Sequence, residues 1–158
     1  MPIVSNSILI QAPAEALFSL SQDYALRRRW DPFVREMRFL DGAKEAGLGV
    51  RVWVRAWTGL TMEVEFVSFR PPDSVAMKMV RGPFIFKRFA GTWLFKAADN
   101  GLTEVSFRYG FTSRWRWLSP LIDPLIKSMF HRDVRARLRG LKQGVEQGLL
   151  ECLGEPCL

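Results

Sequence analysis

Histidine occurs once and cysteine twice in the 158 residues, too few for a Cys/His zinc site or a disulfide framework. No apolar run approaches the ~20 residues that a membrane-spanning helix needs. Met1–Ser7 has no basic segment leading into a long apolar one, so a cytoplasmic location is expected. Internal repeats, low-complexity tracts and Gly/Ser linkers are absent. Also absent are paired carboxylates at catalytic spacing, GxSxG, HExxH and a phosphate-cradling glycine loop. Their absence removes the usual signatures of serine hydrolases, metalloproteases and nucleotide enzymes. Neither a cofactor nor a metal is expected.

What is present is ordinary globular composition, 48% hydrophobic and 25% charged, at the common size of a single domain. The domain is expected over 1–150, with a short tail at 151–158. Cys152 and Cys157 lie in that Gly/Pro-containing tail and are expected as free thiols, a local disulfide being the alternative. Lys and Arg number 23 against 16 Asp and Glu, a formal charge of +7.

Turn signals fall at Asp41-Gly42, Thr58-Gly59, Pro71-Pro72-Asp73, Gly82-Pro83, Asp99-Asn100-Gly101 and Ser119-Pro120. The stretches between them are about 7–12 residues long, which suits an antiparallel meander. Ser5–Ile10 reads as a strand, followed by a helix with Pro13 at its first position and Ala16, Leu17, Phe18 and Leu20 on its apolar face. Tyr24–Trp30 reads as a second short helix, ended by Asp31-Pro32, and Val34–Leu40 as the next strand.

From Leu48 the alternation sharpens. Val50, Val52, Val54 and Ala56 share one parity, and Arg51, Trp53, Arg55 and Trp57 the other. Met62, Val64 and Phe66 alternate with Glu63 and Glu65. A three-residue loop at Thr58-Gly59-Leu60 would pair Arg55 with Glu63 and Val54 with Val64, which keeps the charged and apolar faces apart. Three further strands carry Val75, Met77 and Met79; Phe89, Gly91, Trp93 and Phe95; and Val105, Phe107, Tyr109 and Phe111. Ser119 then reads as an N-cap and Pro120 as the first residue of a long helix. Its apolar stripe is Ile122, Ile126, Phe130, Val134, Leu138, Leu141, Val145 and Leu149, a helical period held over about 28 residues.

This β-α-α-β₆-α order resembles the START-like superfamily, the polyketide cyclase/dehydrase and coenzyme Q-binding group with the helix-grip fold. The residues carrying the resemblance run from Ile8 through Pro13 to Phe18, then Trp30-Asp31-Pro32-Phe33. They continue with Gly47-Leu48-Gly49-Val50, Phe89-Ala90-Gly91-Thr92-Trp93 and Asn100-Gly101-Leu102-Thr103-Glu104-Val105. The resemblance implies an α+β fold in which a seven-stranded antiparallel sheet wraps the long C-terminal helix, with two short helices after the first strand and an apolar cavity between sheet and helix. It implies binding or transport of a hydrophobic small molecule or lipid in that cavity. The alternative is a cyclase/dehydratase-type enzyme using the same space.

Inward-facing strand parity nominates Val54, Met62, Val64, Phe66, Met77, Met79, Phe89, Trp93, Phe107 and Tyr109 as ligand-binding residues. They are joined by Trp30 from the second short helix and Phe130 and Val134 from the long one, with Phe18 of the first short helix beside them. The same side chains could equally form a filled core. Tyr109 is the polar contact best suited to orient a ligand, unless its phenol reaches solvent at the rim. Tyr109 and His131 are the acid–base candidates, although a lone histidine on a helix is more often solvated or packed. Asp31 and Asp123 each precede a proline and read as caps.

The basic excess gathers at Arg27-Arg28-Arg29, at Arg114-Trp115-Arg116-Trp117, and at Lys127, Arg132, Arg135, Arg137, Arg139 and Lys142. Tryptophan beside arginine suits transient contact with an anionic membrane surface, against a solvated, salt-bridged helix face. Nucleic acid is disfavoured, because the charge is spread and no recognition motif accompanies it. Trp53 and Trp57 fall on the outer parity. Either they mark a homodimer contact, or the register is shifted and they line the pocket.

Overall fold

The computed structural model describes residues 1–153. The elements are β1 (Ile3–Ile10), α1 (Ala14–Gln22), α2 (Tyr24–Trp30), β2 (Val34–Phe39), β3 (Arg51–Ala56), β4 (Thr61–Arg70), β5 (Ser74–Arg81), β6 (Phe86–Ala97), β7 (Thr103–Ser113) and α3 (Ser119–Glu146). Short 3-10 turns follow β6 and α3. All seven strands form one antiparallel sheet in the order β1-β7-β6-β5-β4-β3-β2. From β2 to β7 the chain is a meander. Only β1 is displaced, pairing with β7, and α1 and α2 span the gap that this leaves between the sheet's two edges. Register shifts in β2, β4 and β6 bend the sheet, since an unpaired residue increases local twist. Helix α3 packs on the concave side against β1 and β7. The result is the helix-grip arrangement.

Local chemistry sets the helix ends, with small corrections to the expected caps. Pro13 is the N-cap of α1 rather than its first residue. Leu118 caps α3, which leaves Pro120 in the first turn, where a missing N–H costs nothing. Asp23 caps α2, its Oδ1 accepting the Leu26 N–H at 3.2 Å. Gly148 (φ +85°) stops α3, because a left-handed residue ends a helix and only glycine adopts it freely. Leu149 therefore leaves the helix and packs from the following turn. Cys152 is buried there and disulfide-bonded, a correction to the free thiol expected, while Cys157 lies outside the described residues.

The expected faces of β3 and β4 hold, but the register moves by two residues. Arg55 pairs with Thr61, Trp53 with Glu63 and Val54 with Met62. The loop has three residues, but they are Trp57-Thr58-Gly59. Ala56 N–H donates to the Leu60 carbonyl at 2.9 Å, and Gly59 takes φ +87°. A three-residue hairpin loop puts its left-handed residue last, so the glycine dictates the frame. A shift of two preserves parity. Trp53 thus stays on the outer face, its ring flanked by Arg38 at 4.4 Å and Arg55 at 5.4 Å.

Candidate functional site

Sheet and helix enclose an aromatic cluster. Trp93, Phe107 and Tyr109 are fully buried, with Phe89 and Phe130 beside them. Tyr109 meets Phe130 at 4.8 Å, Phe107 at 4.8 Å and Phe89 at 5.0 Å, and Trp93 meets Phe107 at 4.3 Å. These rings fill most of the interior. The hollow that remains measures about 40 Å³ and is lined by Arg27, Phe33, Val34, Met37, Val54, Met62, Val64, Met77, Phe89, Gly91, Phe107, Tyr109 and Arg137. That is room for a water or two. Outside it lies a groove of about 520 Å³ between α3, the turn before β2 and the β3–β4 loop, lined by Pro32, Phe33, Trp57, Leu125, Ser128, Met129, Arg132, Asp133 and Ala136. Phe33 is the one residue that lines both spaces.

Of the thirteen nominated ligand-binding residues, the hollow brings together Val54, Met62, Val64, Met77, Phe89, Phe107 and Tyr109. The other six lie behind this lining. Trp30 packs edge-on against Trp93 at 5.9 Å, Phe66 against Phe69 at 5.8 Å, and Phe130 stacks on Phe86 at 5.9 Å. Val134 is fully buried, and Met79 is half-buried at the edge of the core. His131 is exposed on α3 beside Lys127, Arg132 and Arg135 and does not line the hollow. It follows the buried Phe130, and one step around a helix turns a side chain by about 100°. Trp57 lines the groove rather than the hollow.

The polar centre of the interior is an ion cluster built from residues expected to be surface charge and a cap. Asp31 is fully buried at the end of α2. Its Oδ2 accepts from Arg27 Nε at 2.8 Å and from Arg137 Nη2 and Nε at 2.8 and 3.2 Å. Its Oδ1 accepts the Phe33 N–H at 3.0 Å, which holds the start of β2. Arg137 Nη1 donates to the Tyr109 hydroxyl at 2.5 Å, and Arg27 Nη1 donates to the Ser21 carbonyl. Both guanidiniums sit over aromatic rings, Arg27 over Trp30 at 4.7 Å and Arg137 over Phe107 at 4.5 Å and Phe33 at 4.8 Å.

The electrostatics follow from this geometry. Burial pushes the Asp31 carboxyl up, but Arg137 and Arg27 outweigh it and leave it below the usual carboxylate range. Burial also lowers Arg27 and outweighs the attraction of Asp31. In Arg137 the same burial is overcome by Asp31 and Tyr109, and the guanidinium is held more firmly protonated than usual. Burial raises the Tyr109 phenol to about 12, so it is neutral at ordinary pH. A further acid, Asp133, is half-buried in the groove and hydrogen-bonded by Trp57, and burial raises it against the pull of Arg137. Among the described residues, no group of three or more His, Cys, Asp or Glu side chains converges as metal ligands would.

The sequence carried two signals for this cluster. Arg137 lies three residues after Val134 and four before Leu141, on the apolar stripe itself. Arg27 and Asp31 stand at i,i+4, the spacing of a helical ion pair.

Residues 1–146 match the model of a protein family described as polyketide cyclase/dehydrase and lipid transport. Among solved structures, TTHA0849 from Thermus thermophilus superposes with a TM-score of 0.76 at 21% identity, over 92% of this chain and 98% of that one. The Zhui aromatase/cyclase from Streptomyces sp. R1128 gives 0.75 at 16% identity, over 98% and 99% of the two chains. A START superfamily protein from Mycobacterium smegmatis gives 0.75 at 14%, over 92% and 97%. At these identities the likeness is one of fold. No match was found among curated proteins.

Proposed function

The chain belongs to the polyketide cyclase/dehydrase and lipid transport family, and we propose that it binds a hydrophobic small molecule or lipid in the groove beside α3, the inner end reaching past Phe33 toward Tyr109. The observation that carries this reading is the double position of Phe33, a wall of both the groove and the apolar hollow. The groove lies within the roughly 300–1,000 Å³ of ordinary ligand sites, whereas the hollow admits only a head group. Extraction of the purified protein into organic solvent, with native mass spectrometry alongside, tests the reading. A co-purifying apolar molecule that is lost in Phe33→Asp supports it. A ligand-free protein that takes up no apolar fluorophore, with or without Phe33, refutes it.

A cyclase-type reading draws on one observation, the neutral phenol of Tyr109 beside the Arg137 guanidinium. Such a pair could donate to a developing oxyanion. A Tyr109→Phe variant that turns over added poly-β-ketone substrates as fast as the native chain removes that option.

A membrane contact is supported by the face at the start of α3. Phe84, Trp117, Leu121 and Leu125 are all at least 65% exposed. Arg114 lies over Phe84 at 4.3 Å, and Arg116 and Lys127 are exposed nearby in the chain. Tryptophan favours the bilayer interface, and each arginine near an anionic surface contributes about 1 kcal/mol. Co-sedimentation with phosphatidylglycerol vesicles but not phosphatidylcholine vesicles, lost in Trp117→Ser/Leu121→Ser, is the expected result. Equal behaviour with both lipids refutes it.

A further inference from the structure

Two buried guanidiniums share one buried carboxylate. Asp31 Oδ2 serves both arginines and Oδ1 accepts the Phe33 amide, so among the described residues a single carboxylate is the ion-pair partner of both guanidiniums. Arg27 Nη2 is fully buried and has no partner among the described residues, although Arg27 lines the hollow. The indole N–H groups of Trp30 and Trp93, whose rings lie 4.7 and 5.5 Å from the same guanidinium, also lack acceptors there. Asp133, a further acid, makes no ion pair within 4.0 Å of either arginine. Among the described residues, the interior therefore holds one positive charge more than it neutralises, and Arg27 Nη2, the Trp30 and Trp93 indoles, the Tyr24 hydroxyl and Gln22 Oε1 are all buried there without hydrogen-bond partners. A buried unpaired charge costs several kcal/mol, and buried donors are ordinarily satisfied. A bound water could accept from Arg27, but it would not neutralise it.

We propose that the hollow receives the anionic oxygen of an amphipathic organic acid, at Arg27 Nη2 and within reach of Arg137, while the apolar part of that molecule lies in the groove beyond Phe33. This rests on the reading of groove and hollow as one ligand site and narrows its ligand to a class: an apolar carboxylic acid or a molecule with an equivalently ionised oxygen. The walls fit such a molecule. Val54, Met62, Val64, Met77 and Phe107 offer nothing to a second polar group, so the charge is recognised at one end only. The volumes fit as well, since about 40 Å³ accommodates a carboxylate and no chain, and about 520 Å³ accommodates the chain.

The test is a matched pair of probes, dodecanoate and dodecanol, titrated calorimetrically into the full chain. A hydrogen bond to a charged group contributes about 1.5–3 kcal/mol, so the acid should bind about tenfold to a hundredfold more tightly than the alcohol. Arg27→Met should abolish that preference and leave dodecanol binding in place. This variant keeps the balanced Arg137–Asp31 pair, and Arg27→Lys, which keeps the charge, should retain a preference. Equal affinity for acid and alcohol in the native protein overturns the anion site and leaves the apolar site standing. A preference that persists undiminished in Arg27→Met also overturns it, by assigning the effect to the chain's surface charge. Binding of neither probe overturns the ligand site itself and the anion site with it. The native acid-to-alcohol ratio is decisive even if Arg27→Met fails to fold.

Discussion

Alanine at position 140 separates helix propensity from packing. Gly140 lies within α3, and replacing an interior helical glycine by alanine ordinarily stabilises by about 1 kcal/mol. Here a β-carbon would stand 2.0 Å from the Trp30 carbonyl oxygen and 3.1 Å from Pro32 Cδ. Real contacts of this kind do not fall below 3.0 Å, so α2 and α3 must part by about 1 Å. Neither obstacle is a flexible side-chain end. Overpacking of this kind costs about 1–3 kcal/mol. The same movement pulls Arg137, one turn earlier on α3, from Asp31, which follows Trp30, and so stretches a 2.8 Å ion pair. The expected net result for Gly140→Ala is a loss of about 2 kcal/mol, or about 4–8 °C in Tm for a domain of this size. Urea denaturation with far-UV circular dichroism measures it, and Gln143→Ala, exposed one turn further on, should stay within about 0.5 kcal/mol. A Gly140→Ala protein as stable as the native one would refute the close approach of the two helices and the ion cluster that depends on it.

Asp31→Asn should cost about 3–5 kcal/mol, because it leaves two buried guanidiniums without a counter-charge; the loss is read from the urea midpoint at pH 7. Since the Asp31 carboxyl is held below its usual range, its stabilisation is complete above the unfolded value near pH 4 and lost as pH falls through the folded value. Acid unfolding of the native chain should therefore be steeper than that of Asp31→Asn. The chain has two tyrosines, and burial raises both Tyr24 and Tyr109 to about 12. Tyrosinate absorbance should thus be only about a tenth developed at pH 11, where free tyrosine is about nine-tenths ionised. Because the fold favours the neutral phenols, stability should fall as pH rises from about 10 to 12, and tyrosinate appearing near pH 10 in folded protein would refute their burial. Trp93→Ala should cost about 3–5 kcal/mol, measured by denaturant titration, since Trp93 is fully buried between Trp30 and Phe107.

The sheet faces were legible because strand parity is a local signal. Val52, Val54, Val64, Phe107 and Tyr109 all point inward as their alternation requires. The β3–β4 register was legible only modulo two, because parity cannot distinguish Val54 opposite Val64 from Val54 opposite Met62; the left-handed Gly59 decides it. The ion cluster was partly hidden for a different reason. Arg27 sits in a run with Arg28 and Arg29, both exposed, and charge runs read as solvated faces. What buries Arg27 and Arg137 is the meeting of α2 and α3 at Asp31, residues 106 positions apart in the case of Asp31 and Arg137. No local pattern encodes that distance. Phe33 was visible only as a family marker, since its place in the lining of both spaces exists only once β2 and α3 are placed.

Which walls could yield to a ligand follows from side-chain chemistry. From α3 the hollow is bounded by Arg137, clamped to Asp31 and Tyr109, and from β6 and β7 by Phe89, Phe107 and Tyr109, each locked in several ring contacts. Moving any of these breaks a charged hydrogen bond or an aromatic pair. On the β2 to β5 side it is bounded by Met37, Met62 and Met77 with Val54 and Val64. Unbranched thioethers change rotamer at little cost and fill irregular space, and Met37 and Met77 are only partly buried already. Enlargement therefore runs toward the methionines, while the guanidinium end stays rigid. A head group entering the hollow would thus meet fixed guanidinium and aromatic walls on one side and adjustable methionine walls on the other, whereas the groove beyond Phe33 has a different lining.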